Sequence, residues 1–532
     1  MATRFLPILY VRGFAMTQGE IDETTADPFC GFNLGSTVYR AVPDRKRPPR
    51  KYMFESPVIR LGSDYGYRDV YEDGYDLMDP EWQADPGNHL ASASIIVYRY
   101  YDQASTLLGN GETPSIEEFA KGLSNLIAHV RELVCKNPAN KVTKGEFRCI
   151  LVAHSMGGLV CRTFLQNAKC DPKGVVECVD KLFTYATPHN GIDAAGMNVP
   201  KWLSFGDTNN FNRDRMAKYL AIPAAVYKKT ERVDWLPEER FPTSRAFTMV
   251  GTNRSDYEAA MGLSRTFVGS GSDGLVRIEN ATLTGLTADG KPGAECAKAF
   301  CYRSHSGPFG IVNSEEAYQN LVRFLFGDLR VDVHVDIEGV TLPMALQSKE
   351  RDVNALYQIE LQASPRGKLW RLTRRVAEED SVACFTHEEV RDAKKQTVKV
   401  TKYLSTVFLS QRAKVHRNRP TLAYRVDVGV RVPDYEVKRT LWFDEHYEGG
   451  YLFRDAMIVE VTPPATPQDF WKADFAWQGN SVAAAATAMP GVVRADGTAE
   501  FSVPFAGGSA PSVRGTLRFV VSPWNDNTDP FT

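Results

Sequence analysis

Residues 147–168, FRCILVAHSMGGLVCRTFLQNA, constrain this chain more than any other stretch. Arg148 to Ala153 is a short run of mainly β-favouring apolar residues, and from Met156 onward Leu159, Val160, Phe164 and Leu165 recur at helical spacing. The period changes at Ser155. A serine on so tight a strand-to-helix turn stands exposed at the end of a sheet, on a strained backbone that tolerates only small neighbours, which is the physical content of the pattern G-x-S-x-G. Here the pattern reads Ala153-His154-Ser155-Met156-Gly157-Gly158. Alanine keeps the small volume of the first glycine and gives up some φ freedom. Ser155 is therefore a candidate nucleophile, with a plain helix N-cap as the competing reading.

The elements around this turn alternate. Phe5 to Val11 reads as a first strand, Ser94 to Tyr101 as the next, and Ser115 to Cys135 as a helix whose apolar face runs from Ile116 to Val134. Ser115 with Glu118 makes a capping box. Val179 to Ala186, Arg245 to Val250 and Cys296 to Tyr302 read as further strands, and Asn313 with Glu316 as the cap of a last helix ending near Phe326. Strand, helix, strand in this order is the grammar of a parallel α/β sheet. Two insertions interrupt it, about 15–90 and 192–240. Their aromatic residues, such as Phe29, Tyr52, Trp202 and Phe205, suit a lid or cap over an apolar pocket.

If Ser155 is a nucleophile, it requires a base, an acid to orient the base, and donors for the oxyanion. His305 lies after the last strand and before the last helix, and Asp273 sits in the Gly- and Ser-rich loop FVGSGSDGLVRI; both follow Ser155 in the order expected of such a fold. Asp256 and Asp234 compete for the acid. Met156, next after the nucleophile, and Phe14, after Gly13, are the oxyanion-donor candidates by position. Arg12, His154 and His189 are candidates for the pocket lining. His189 precedes every candidate acid, so a structural role is the competing reading for it.

Together these features resemble the α/β-hydrolase lipases and esterases, phospholipase-like members included. The resemblance rests on the Gly13-Phe14 turn, His154-Ser155-Met156-Gly157-Gly158, Ala186-Thr187-Pro188-His189-Asn190-Gly191, Ser272-Asp273-Gly274-Leu275-Val276 and His305, across roughly residues 4 to 327. It implies an α/β-hydrolase fold, a mostly parallel sheet flanked by helices, with Ser155, Asp273 and His305 as a triad cleaving an acyl ester through an acyl-enzyme. It needs neither cofactor nor metal. Acyl transfer or amide cleavage on the same triad, and a non-catalytic lipid- or partner-binding shell, are the alternatives. Two departures stand out: many members have His-Gly where this chain has Arg12-Gly13, and Ala153 replaces the elbow glycine.

After Gly327-Asp328 the pattern changes to short alternating segments separated by turns, as in a β-sandwich. We therefore expect a catalytic domain over 1–328 and an all-β accessory domain over 329–532. Docking to a lipid surface, packing, dimerisation or contact with an export partner are all open to the second domain. No catalytic constellation is evident there, and His334, His387, His416 and His446 lack metal-loop spacing.

Net charge is −2 with basic residues dispersed, so nucleic acid is not an expected partner. The apolar run at the N-terminus is broken by Pro7 and lacks a small-residue cleavage site, and no run approaches the roughly 20 residues of a bilayer span. The expectation is a cytoplasmic protein, or one exported without a cleaved signal. Nine cysteines, several on apolar faces, read as reduced buried thiols; Cys170 with Cys178 or Cys296 with Cys301 are the pairs available to an exported chain.

Overall fold

The structure is a computed structural model that describes residues 5–13, 37–40, 50–53, 57–69, 89–98, 100, 114–194, 197–198, 210–254, 271–306, 310–396, 398–414, 418–437, 445–463, 471–479, 487–489, 491–493 and 497–525. The chain forms two compact units, one of residues 1–298, 302–318 and 528–532, the other of residues 299–301 and 319–527.

The larger parallel sheet is made of strands β1 (Ile8–Val11), β2 (Arg68–Asp69), β3 (Ser94–Tyr98), β4 (Cys149–His154), β5 (Val179–Tyr185), β6 (Ala246–Gly251) and β7 (Ala297–Cys301). They lie in the order β7-β6-β5-β4-β1-β3-β2, and the pairs from β2 through to β6 are all parallel. Parallel strands covered on both faces read as continuous apolar runs, and every residue of β1, β4 and β6 is buried. One face of the sheet, through Leu9, Val11, Leu151, Ala153 and Leu182, joins a core with helices α2 (Ile116–Lys136) and α3 (Met156–Gln166). Helix α2 starts where expected: the Ser115 side chain accepts from the Glu118 amide, and Glu118 reaches back to the Ser115 amide. Ile116, Phe119, Leu123, Leu126, Ile127 and Val130 lie on its buried face, each worth about 1.5–3 kcal/mol when taken fully from water.

Parts of both insertions pack into the body. Within 15–90, these parts are helix α1 (Pro57–Tyr65) and β2. Val58 and Leu61 are buried, Tyr67 donates from its hydroxyl to the Leu6 carbonyl at 3.0 Å, and β2 pairs with β3. Within 192–240, helices Arg213–Tyr219 and Ala224–Thr230 and the strand Trp235–Pro237 carry Met216, Tyr219, Leu220, Val233 and Leu236 into the same core as α2 and α3. Trp202 and Phe205 lie outside the described residues. The reason is visible on α3, where Arg162, wholly buried on a largely apolar helix, donates to the carbonyls of His189, Val233 and Trp235 at 2.8–2.9 Å. A buried guanidinium needs its donors met, and this segment supplies two of the acceptors, the carbonyls of Val233 and Trp235, beside Gln166 Oε1 on α3 and the His189 carbonyl. Burial lowers its pKa to about 10, so it stays charged near neutrality.

The helix after β7, α4 (Glu315–Phe326), is capped by Ser314 rather than Asn313. Ser314 Oγ accepts from the Ala317 amide at 3.2 Å and donates to the Ile311 carbonyl at 2.7 Å.

The second unit holds two antiparallel sheets. One has the order Val400–Leu409, Leu329–Thr341, Ser512–Pro523, Ala499–Ala506, Val492–Val493; the other runs through Thr373–Arg375, Leu356–Pro365, Leu422–Val437, Glu445–Thr462, Lys472–Trp477 and Thr487–Met489. Alternate residues of both, including Val331, Val333, Val335, Val426, Val428, Val430, Phe501 and Val503, make one apolar core. A helix absent from the expectation, His387–Lys395, follows a Thr386–Glu389 capping box. The eight described cysteines are free thiols, including both candidate pairs. Among the described residues no helix is long and apolar enough to cross a membrane.

Candidate active site

Ser155 sits between the last residue of β4 and the first of α3 with φ 52° and ψ −128°. That backbone region costs a non-glycine residue on the order of 1–3 kcal/mol and persists only where surroundings enforce it. Here the Ser155 amide donates to the Tyr185 carbonyl on β5 at 2.9 Å, and its own carbonyl accepts from Gly158 at 3.0 Å. Small residues are required around the turn. A Cβ on Gly157 would stand 2.2 Å from the Val11 carbonyl oxygen, and one on Gly13 would stand 2.7 Å from Ser155 Cβ.

The hydroxyl so placed is 2.9 Å from His305 Nε2, and His305 Nδ1 is 2.9 Å from Asp273 Oδ2. All three residues are buried, at 7%, 3% and 1% exposure for Ser155, His305 and Asp273. With Nδ1–H donating to the carboxylate, Nε2 turns its lone pair toward the serine hydroxyl. The other carboxylate oxygen, Oδ1, accepts from the amides of Leu275 at 3.0 Å and Val276 at 2.7 Å, which fixes the rotation of the acid. The His305 amide also donates to the Asp273 carbonyl at 3.0 Å, and the preceding Arg303 is clamped by Glu316 on α4. Asp234 is committed to Arg232 at 2.6 Å, which removes it as a rival; Asp256 lies outside the described residues.

Met156 is the first residue of α3, where an amide has no intrahelical acceptor and the helix dipole is positive. Phe14 lies outside the described residues. The three pocket candidates fare differently. Arg12 follows β1, half-buried, and its carbonyl accepts from Tyr100 Oη at 2.7 Å. His154 instead turns under the site: its Nε2–H donates to the His305 carbonyl at 3.0 Å, while Nδ1 faces Gly13. Burial, then the neighbouring His305, pushes its pKa well below the usual histidine value, so it is neutral. His189 is wholly buried, bonded through Nε2 to Thr184 Oγ1 at 3.1 Å and kept neutral by burial and by Arg162. Sequence reasoning missed the support given by His154 and the bracing by Arg162. Only the second had a signal, a lone arginine within the apolar run of α3.

A parallel sheet flanked by helices, with a strained serine turn after a central strand, decides the fold. It is an α/β-hydrolase fold. In this α/β-hydrolase frame the serine, acid and histidine come from the ends of β4, the loop after β6 and the loop after β7, which is why residues 150 apart meet.

No protein-family model and no curated protein sequence matches the chain. Among solved structures, the mature form of Bacillus licheniformis lipase BlEst2 is 13% identical over 56% of this chain and 84% of that one, with a TM-score of 0.28. Its propeptide form is 11% identical over 86% and 94%, TM-score 0.30. Phospholipase PlaB from Legionella pneumophila is 14% identical over 83% and 90%, TM-score 0.28. At these values the functional reading rests on the geometry above and not on the likenesses.

Proposed function

We propose that this protein is a serine ester hydrolase that cleaves an acyl ester of a lipid or similarly apolar substrate. His305 accepts the Ser155 proton at Nε2 as the serine oxygen attacks the ester carbonyl. The main-chain N–H groups of Met156 and Phe14 bind the oxyanion. Collapse of the tetrahedral intermediate breaks the C–O bond to the leaving alcohol, which takes the proton from His305. Water then repeats the sequence on the acyl-enzyme, with Asp273 holding the ring throughout. The observation that carries the reading is the unbroken pair of 2.9 Å contacts from Ser155 through His305 to Asp273, starting from a serine on a strained backbone. The aromatic residues of the sequence between 15 and 90 and between 192 and 240, such as Phe29 and Trp202, are the ground for expecting an apolar acyl group.

A fluorophosphonate probe tests the chemistry directly. Labelling of the wild type but not of Ser155→Ala is expected; an unlabelled wild type would favour a binding protein with a hydrolase frame. A panel of phospholipids, glycerides and short-chain p-nitrophenyl esters then sorts the substrate class.

A further inference from the structure

A second constellation lies far from Ser155 in the sequence, on the ribbon of the long strands β8 (Leu422–Val437) and β9 (Glu445–Thr462) in the second unit. At this end of the ribbon Tyr435 and Val437 are buried, so Asp434 and Glu436 point outward. The register places Glu436 opposite His446 and Asp434 opposite Glu448, and the short strand Val353–Asn354 sets Asn354 beside Glu436. Directly opposed residues share a face. Five oxygen- or nitrogen-bearing side chains therefore line one outer patch, and the His446 ring leans across it to bring Nδ1 within 3.3 Å of Asp434 Oδ2.

We propose that Asp434, Glu436 and His446 bind a divalent transition-metal ion of the Zn2+ class. One ligand atom from each lies within 4.8 Å of the other two. Tetrahedral bonds of about 2.0–2.2 Å bring ligand atoms to roughly 3.3 Å apart, a closure that small rotations of exposed side chains supply. An imidazole nitrogen among carboxylate oxygens suits Zn2+ better than Ca2+ or Mg2+, which prefer oxygen alone. Glu436 also has the outer partner that ligating carboxylates need: Asn354 Nδ2 donates to its Oε2 at 2.9 Å. Among the described residues no Lys or Arg pairs with this group; His446 contacts Asp434, and two further carboxylates, Glu436 and Glu448, lie beside it. The side chains of Asp434 and His446 are 51% and 60% exposed, which leaves room for water to complete the coordination and for the ion to enter. Sequence spacing gave no sign of this, because the ligands are two residues apart on one strand and ten residues further on the next; antiparallel register alone gathers them.

The test uses the full chain, free of any affinity tag and stripped with a chelator, titrated calorimetrically at pH 7 with ZnCl2 and separately with CaCl2. One saturable Zn2+ site is expected, weakened at least tenfold in His446→Ala and in Asp434→Asn, with Tm raised by Zn2+ in the wild type alone. Both variants should keep the wild-type circular dichroism and Ser155 labelling; should either misfold, Glu436→Gln takes its place. Absence of saturable Zn2+ binding, or binding of equal affinity in the variants, would overturn the site and leave a plain exposed hydrogen bond. Ca2+ binding as tight as Zn2+ would overturn the metal class.

Discussion

Replacing Asp273 with asparagine is the sharpest test of the proposed mechanism, because the structure dictates which way the new amide must face. Oδ1 of Asp273 accepts from the amides of Leu275 and Val276, so position Oδ1 has to remain a carbonyl oxygen. The amide nitrogen then occupies the Oδ2 position, 2.9 Å from His305 Nδ1, and points N–H bonds at it. To accept one, Nδ1 must give up its proton, and the proton moves to Nε2. A protonated Nε2 facing Ser155 Oγ can no longer take the serine proton. Every backbone contact survives, so the loss is one of tautomer rather than of fold. A wrong-tautomer substitution in a serine–histidine–aspartate arrangement lowers kcat by roughly 10⁴, about 5 kcal/mol in the barrier. The assay is steady-state hydrolysis of a p-nitrophenyl ester alongside the rate of fluorophosphonate labelling, with Tm as a folding control. A loss of less than about tenfold in both rates, in a variant with wild-type Tm, would refute the claim that this carboxylate sets the tautomer of His305.

Two other outcomes follow from the same geometry. Gly13→Ala puts a methyl 2.7 Å from Ser155 Cβ, against a turn that cannot yield; overpacking of about 1–3 kcal/mol and a large fall in kcat are expected, read by thermal melting and ester hydrolysis. His154 and His189 are both held neutral by burial, with folded pKa values below the unfolded value of about 6.5. The unfolded chain therefore binds more protons below that pH, and stability present above about 6.5 is lost as pH falls toward the depressed folded values. Melting curves from pH 7.5 to 5 should show Tm declining, and His154→Gln should make the decline shallower; an unchanged slope would count against a buried neutral ring at 154.

Much of the α/β frame was legible because its signals are local. The switch from strand to helix at Ser155, the capping box at Ser115 and Glu118, and the place of His305 between a strand and a helix are all present in the structure. The errors also have local causes. Asn313 with Glu316 satisfies the capping rule as a string, yet Ser314 is the residue whose hydroxyl reaches both the Ala317 amide and the Ile311 carbonyl. Residues 57–69 look irregular in sequence, and only the burial of Val58, Leu61 and Tyr67 shows that they pack against the body. His154 adjoins the nucleophile in the chain, but a neighbour on a sharp turn points the opposite way, and its ring went beneath His305.

By itself the sequence determined the periods: which segments bury two faces, which bury one, where the chain must turn sharply, and hence an α/β sheet followed by alternating β-strands. It could not determine distances between side chains separated by scores of residues, since those depend on strand order and register. Tertiary structure alone brought His305 and Asp273 to Ser155, turned His154 inward, gave Arg162 its acceptors, and set Asp434, Glu436 and His446 on one face. Periodicity is a property of neighbours along the chain, whereas a site is a property of neighbours in space.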